Sequence, residues 1–224
     1  MNKISIIMPA YMEVHNIAGA VESAVWAVQA AGLTDYEILI IPCTRQDGSH
    51  DGTPGIAAKL AEQNSHIKVF NNSYINLGEK FWIGVDKARF PYVVLIASDN
   101  EISREAIRDV LAQVGTADII PSYAANMEVR PLMRQIISRT FTLLMNIISG
   151  RRLKYYNGMC LHRVELLKSV PTRNTSFAYM AEVLTYLLFK GHSFYEVPIL
   201  LQERQGGKSA AFKLGNIVEV SKTL

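Results

Sequence analysis

Five short apolar runs, at residues 4–10, 36–41, 67–70, 92–97 and 118–121, punctuate the first 121 residues. Each is almost continuously apolar rather than alternating, which is the pattern of a strand covered on both faces. Helical segments lie between them. Asn16 precedes a stripe of Ile17, Val21, Val25 and Val28 and is expected to cap that helix. Thr53 and Pro54 read as N-cap and first helical residue of a segment reaching about Asn64. "NLGEKFWIGVDKA" enters a third helix, and Ser103 caps "REAIRDVLAQV". Strands alternating with helices predict an α/β fold, a mostly parallel, Rossmann-like sheet with helices on both faces.

Sheets of this kind bind ligands beyond the carboxyl ends of their strands. Four polar segments fall there: "AYMEVHN", "TRQDGSHDG", "NNSYINLGEK" and "SDNE". After residue 121 the rhythm changes. Residues 131–149 form a long apolar helix with Arg134 and Arg139 embedded, "YYNGMCLHR" reads as a strand with a glycine turn, and "FAYMAEVLTYLLFK" is a helix closed by Gly191. A strand in "SFYEVPILL" and a basic glycine loop, "QERQGGKSAAF", precede a last helix. No repeat or linker intervenes. The chain therefore reads as one domain over 1–224, with a ligand-binding half at 1–121 and a more variable half at 122–224.

Composition narrows the function. The 224 residues carry a net charge of only +3, short of the concentrated basic face that nucleic acid requires. Cys43 and Cys160 stand far apart with no CxxC, which fits a reducing, cytoplasmic compartment better than a disulfide framework or thiolate metal site. The apolar run near the N-terminus is broken by Pro9 and reads as a first strand, not a signal peptide. No apolar run is long enough for a transmembrane helix. The five histidines show no metal spacing, and neither GxSxG nor HExxH occurs.

Two motifs carry chemistry. In "SDNE", Asp99 and Glu101 stand at a strand end, spaced i, i+2. They read equally as acids favouring the following helix N-terminus or as ligands of Mg²⁺ or Mn²⁺, which binds one or two carboxylates plus substrate phosphates. "GGKS" at 206–209 departs from a full P-loop, because Gln202 stands where its first glycine belongs. Arg204, Lys208 and Ser209 remain suited to gripping phosphate oxygens. The helix "RQIISRTFTLLMNIIS" reads either as a core helix with two arginines at its rim or as an interfacial helix on a membrane surface, its arginines meeting headgroup phosphate.

The order and spacing of "SIIMPAYMEVHNI", "DGSHDGT", "NLGEKFWIGVDKA", "LIASDNE", "RQIIS", "NGMCLHRVELL" and the segment ending in "GGKS" resemble family 2 glycosyltransferases over nearly the whole chain. The nearest branch resembles the dolichyl- or polyprenyl-phosphate sugar synthases. The resemblance implies a GT-A fold and inverting transfer of a hexose from a UDP- or GDP-sugar, with Mg²⁺ or Mn²⁺. It implies a first donor-binding loop of Pro9, Ala10, Tyr11 and Glu13, nucleotide contact at Asp47, and metal ligation by Asp99 and Glu101. Arg134 and Ser138 match an acceptor-phosphate pattern, Glu182 the Glu of the family's "fQxE" helix and the candidate general base for a hydroxyl acceptor, and Arg204, Lys208 and Ser209 a loop closing over the diphosphate, where Arg204 is expected to stabilise the leaving charge in catalysis.

The expected acceptor is a polyprenyl phosphate or a growing surface glycan, with the protein peripheral on the inner face of the membrane; self-association into an oligomer is compatible with the chain. Three departures stand out. Gln46 and Ala97 replace the first acids of the nucleotide and metal motifs, and Tyr155 stands where the lipid-phosphate branch has an acid. Gln46 and Ala97 motivate the alternative of a non-catalytic GT-A domain that binds a nucleotide sugar or a partner, and Tyr155 favours an acceptor other than lipid phosphate, such as a growing surface glycan.

Overall fold

A computed structural model of the chain describes residues 3–73, 76–176 and 178–201. Strands β1 (Lys3–Ala10), β2 (Asp35–Pro42), β3 (Ile67–Val69), β4 (Tyr92–Leu95), β5 (Ile119–Ala124), β6 (Cys160–Arg163) and β7 (Val197–Ile199) form one sheet in the order β3-β2-β1-β4-β6-β5-β7. Pairings β1–β2, β1–β4, β2–β3 and β5–β7 are parallel, while β6 runs antiparallel to both neighbours. Six strands therefore point one way. The expected parallel series is interrupted: β5 does not lie beside β4, because β6 from the second half is inserted between them.

Successive strand residues point to opposite faces, and both faces are covered. Ile4, Ile6 and Met8 pack with α1 (Ile17–Ala30), α2 (Thr53–Gln63) and α4 (Arg104–Leu111). Ile7, Val93 and Ile119 pack with α3 (Leu77–Lys87), α6 (Val164–Lys168) and α7 (Tyr179–Phe189). Gly84 permits this second layer: a Cβ there would lie 2.5 Å from the Ile7 side chain, so only glycine lets α3 approach β1 so closely. At the amino end of the sheet, fully buried Glu37 accepts hydrogen bonds from Ser5, Lys68 and Arg89.

The helix starts differ in part from expectation. Ser103 caps α4, accepting the Ala106 N–H at 3.1 Å, and Gly191 follows α7 in a left-handed conformation. Asn16 makes no side-chain cap; its amide donates to Glu13 instead. Thr53 is the first residue of α2, with Gly52 at the N-cap, because its hydroxyl is engaged by the preceding loop.

The long helix α5 (Leu132–Ser149) stands apart. Only Met145 and Ser149 are buried, and its contacts are mainly with α7. Among the described residues, no helix is long and apolar enough to cross a membrane.

Candidate active site

The carboxyl edge of the sheet is assembled by bonds between loops distant in sequence. The Pro9 carbonyl accepts the buried Ser98 hydroxyl at 2.8 Å, and the Ala10 carbonyl accepts the Cys43 N–H at 2.9 Å. The Glu13 N–H donates to Thr53 Oγ1 at 2.9 Å and the Val14 N–H to Asp51 Oδ2 at 3.0 Å. Between them Met12 sits at φ 59°, a conformation that costs a non-glycine residue energy and persists only where surroundings enforce it.

Asp51, not singled out from sequence, is the strut of this assembly, for it also accepts the Thr53 N–H and hydroxyl. Burial pushes its carboxyl up, but the bonds from Thr53 and Val14 outweigh burial and hold it below the ordinary range. Asp47 is exposed and accepts the N–H and hydroxyl of Ser49, which lower its pKa. It shapes its own turn at the loop tip.

Ala97, Asp99 and Glu101 line one cavity of about 160 Å³ at this edge, walled also by Arg130, Tyr155 and Gly158. Asn100, at φ 56°, turns the chain between the two acids, and the Glu101 N–H donates to Asp99 Oδ1 at 3.2 Å. A Cβ at Gly158 would strike the Ser122 carbonyl, so glycine is what lets that loop close the wall. Among the described residues no three His, Cys, Asp or Glu side chains gather as a metal cage. Two carboxylates in one cavity nevertheless fit Mg²⁺ or Mn²⁺, which completes its shell with water and substrate oxygens.

Lys80 is a second residue that the sequence does not single out. It lies in the first turn of α3, only 3% exposed, with Nζ 5.6 Å from the centre of the Tyr11 ring. No carboxylate pairs with it among the described residues. A buried ammonium without an acid is costly and suits an incoming anion. The cue available was "NLGEK" directly after β3, at the ligand edge.

The remaining predicted residues divide. Ser138 lines a second cleft beside α5, together with Arg139 and Lys154, whereas Arg134 lines neither this cleft nor the Asp99 cavity. Glu182 lines a third, apolar groove of about 340 Å³ between α5 and α7. Its carboxylate accepts bonds from the Thr172 hydroxyl and the Asn174 amide. Arg204, Lys208 and Ser209 lie outside the described residues.

Residues 5–171 match the model of glycosyl transferase family 2. The putative glycosyltransferase EpsH of Bacillus subtilis (strain 168) is 27% identical over 117 residues, covering 51% of this chain and 33% of that protein. The chain thus spans about a third of the length of this relative. In structure it is similar to glucosyl-3-phosphoglycerate synthase from Mycobacterium tuberculosis in complex with Mn²⁺, UDP and phosphoglyceric acid, at 17% identity and TM-score 0.69, covering 99% of this chain and 75% of that one. S. aureus TarS residues 1–349 superpose at TM-score 0.58 and 17% identity, covering 87% and 58%. These likenesses establish the GT-A architecture, and with the family match over most of its length, the chain belongs to glycosyltransferase family 2.

Proposed function

We propose that this chain is an inverting hexosyltransferase that moves a sugar from a UDP- or GDP-sugar to a polyprenyl phosphate, within one GT-A domain: a donor half at 1–121 and an acceptor half at 122–224. The observation that carries this reading is the single cavity at the sheet edge that holds both Asp99 and Glu101, beside loops braced against each other by Ser98, Asp51 and Thr53.

Asp99 and Glu101 would hold Mg²⁺ or Mn²⁺, whose charge, when bound, offsets that of the departing β-phosphate. Pro9, Ala10, Tyr11 and Glu13 form the first donor loop, with Asp47 at the tip of the second. Lys80 adds a buried positive charge on the donor side, where low polarity strengthens its pull on a developing anion. By resemblance, Arg204, Lys208 and Ser209 close over the diphosphate. A hydroxyl acceptor, such as a surface glycan, would need a general base, for which Glu182 is suited by residue type. Its engagement by Thr172 and Asn174, and its position in another groove, favour an acceptor that needs none. A phosphate oxygen is already anionic.

A lipid-borne acceptor also accounts for α5. Leu132 and Ile147 are each 70% exposed, and Met133, Ile136 and Leu143 share the outward face. The helix contains no acid, and Arg134 and Arg139 flank the apolar stripe. This composition suits a helix lying on an anionic lipid surface and supports a peripheral position on the inner face of the membrane.

UDP and GDP affinities with and without Mn²⁺, followed by donor turnover, test the reading. Metal-dependent binding and turnover are expected. Asp99→Ala should lower turnover by about 10²- to 10³-fold and abolish the metal dependence of nucleotide binding. Metal-independent binding with no donor hydrolysis would overturn the transferase in favour of a non-catalytic binding domain, the alternative that Ala97 in the cavity wall motivates.

A further inference from the structure

Both carboxylate oxygens of Glu182 are committed to one loop. Oε1 accepts the Thr172 hydroxyl, and Oε2 accepts the Asn174 amide at 2.8 Å. From there residues 171–176 run across to α3, the helix that carries Lys80. The Asn174 carbonyl accepts Trp82 Nε1–H at 3.0 Å, and the Thr175 carbonyl accepts the Gly78 N–H at 3.1 Å. Arg173 forks onto Asp86 at 2.6 and 2.9 Å, its guanidinium 5.2 Å from the centre of the Trp82 ring. Gly78, Trp82 and Asp86 are spaced i, i+4, i+8, so one face of α3 receives the whole loop. Asn174 Oδ1 accepts the Ser176 N–H at 2.8 Å, which sets the loop's own turn.

These contacts are unequal. Arg173 and Asp86 are both about half exposed, and such a pair is worth little. Trp82 and Gly78 are buried. The Gly78 N–H belongs to the first turn of α3, where a helix has amides without carbonyl partners of its own, and Asn76 makes no side-chain cap. Thr175 supplies the acceptor. A Cβ at Gly78 would lie 2.6 Å from the Asn174 carbonyl oxygen, so glycine is what lets the loop close on that turn. Lys80 stands in the same turn, buried against the Tyr11 ring. A buried ammonium without an acid gains by moving toward water, so its place against Tyr11 depends on how firmly that turn is held. The loop thus ties Lys80 to a residue of the other half of the chain.

We propose that Glu182 is a positioning residue for the donor site: it fixes residues 171–176 on α3 and thereby holds Lys80 in place for the phosphates of the nucleotide. The inference rests on the transferase reading and gives Glu182 a task other than proton removal. A base acts through an oxygen within reach of the acceptor's proton, whereas both oxygens of Glu182 are held by the loop. An amide of the same shape can serve the loop equally, its oxygen accepting the Asn174 amide and its NH₂ donating to the Thr172 hydroxyl.

The test measures UDP affinity with Mn²⁺, turnover and melting temperature for the full chain, Glu182→Ala, Glu182→Gln, Lys80→Met and Glu182→Ala/Lys80→Met. Glu182→Ala should weaken UDP binding about three- to tenfold, and Glu182→Gln should restore it to within about twofold of wild type. In the Lys80→Met background, Glu182→Ala should weaken it no further. Thr172→Val removes one of the two bonds from the loop's end and should weaken UDP binding about twofold, a readout that remains if Glu182→Ala does not fold. A lowered melting temperature with wild-type UDP affinity in Glu182→Ala would make the loop merely structural and overturn the proposal, as would equal losses with and without Lys80. Loss of turnover in Glu182→Gln at wild-type UDP affinity would overturn it in favour of a general base. If the wild-type chain binds no UDP, the donor reading fails, and hydrogen exchange at the amides of residues 78–82 decides the rest. Exchange at least about tenfold faster in Glu182→Ala than in Glu182→Gln would keep the hold of Glu182 on α3, and equal exchange would remove it.

Discussion

Strand β1 and helix α5 are built from the same kinds of residue and have opposite fates. Ile4, Ile6, Ile7 and Met8 are wholly buried, while Leu132, Ile136, Leu143 and Ile147 face outward. A central parallel strand presents side chains to two faces, and helices cover both, so every apolar residue in it is used for packing. Helix α5 meets mainly α7 and buries only a narrow strip. Apolar side chains in β1 hold the fold together. On α5 they form a contiguous exposed surface of the kind that marks an interaction site.

Mutations should separate the two regions sharply. The largest effect is expected at Phe81, buried between β1 and α7 beside Tyr179. Phe81→Ala should cost about 3–5 kcal/mol, read from denaturant unfolding. Next is Glu37→Ala. It leaves Lys68 and Arg89 without their carboxylate, but both side chains are partly exposed, so about 2–3 kcal/mol is expected rather than the full cost of a buried orphan charge.

Acid should act through the same core. Burial holds the His162 pKa down to about 4 from 6.5, so the unfolded chain takes up its proton first. Stability should be complete above about pH 6.5 and fall as the pH drops toward 4. Glu37 adds to the loss at lower pH. Burial alone would raise its pKa, but the bonds from Arg89, Ser5 and Lys68 leave it lowered, so its contribution disappears as it protonates. Helix α5 holds no Asp, Glu or His and should contribute nothing to this slope. A melting temperature flat across that range would count against the buried neutral histidine.

Lys80→Met sharpens the contrast from another side. Removing a buried cation with no acid partner among the described residues should raise the melting temperature while weakening UDP binding about tenfold. A drop in both would mark Lys80 as merely structural. The smallest effect on stability belongs to Ile136→Ser with Ile147→Ser, expected to remain within about 0.5 kcal/mol per site. The same double variant should lose most of its binding to phosphatidylglycerol vesicles. Unchanged vesicle binding would break the assignment of the α5 face to a membrane.

Much of the fold was legible in the chain because its signals are local. Continuous apolar runs marked the buried strands, Ser103 marked the start of α4, and Gly191 the end of α7. The convergence of polar segments on one sheet edge followed from strand direction alone, and Asp99 and Glu101 share a cavity there. Asn16 occupies the N-cap of α1 without a side-chain cap bond, and Thr53 lies one residue inside α2, because both side chains are drawn into bonds within the site loops, Asn16 with Glu13 and Thr53 with Asp51 and the Glu13 N–H. No local preference contains such partners.

What the sequence by itself determined is the alternation of elements, the type of sheet and the family's order of motifs, since each depends on residues within one strand, one helix turn or one loop. Only the tertiary structure decided that β6 enters between β4 and β5, that Lys80 is buried against Tyr11, that Tyr155 holds Arg130 between two clefts, and that the described residues leave the apolar face of α5 uncovered. Those outcomes depend on which distant surfaces meet. A lysine in a helix's first turn or an isoleucine on its stripe has the same local pattern whether packing buries it or leaves it exposed.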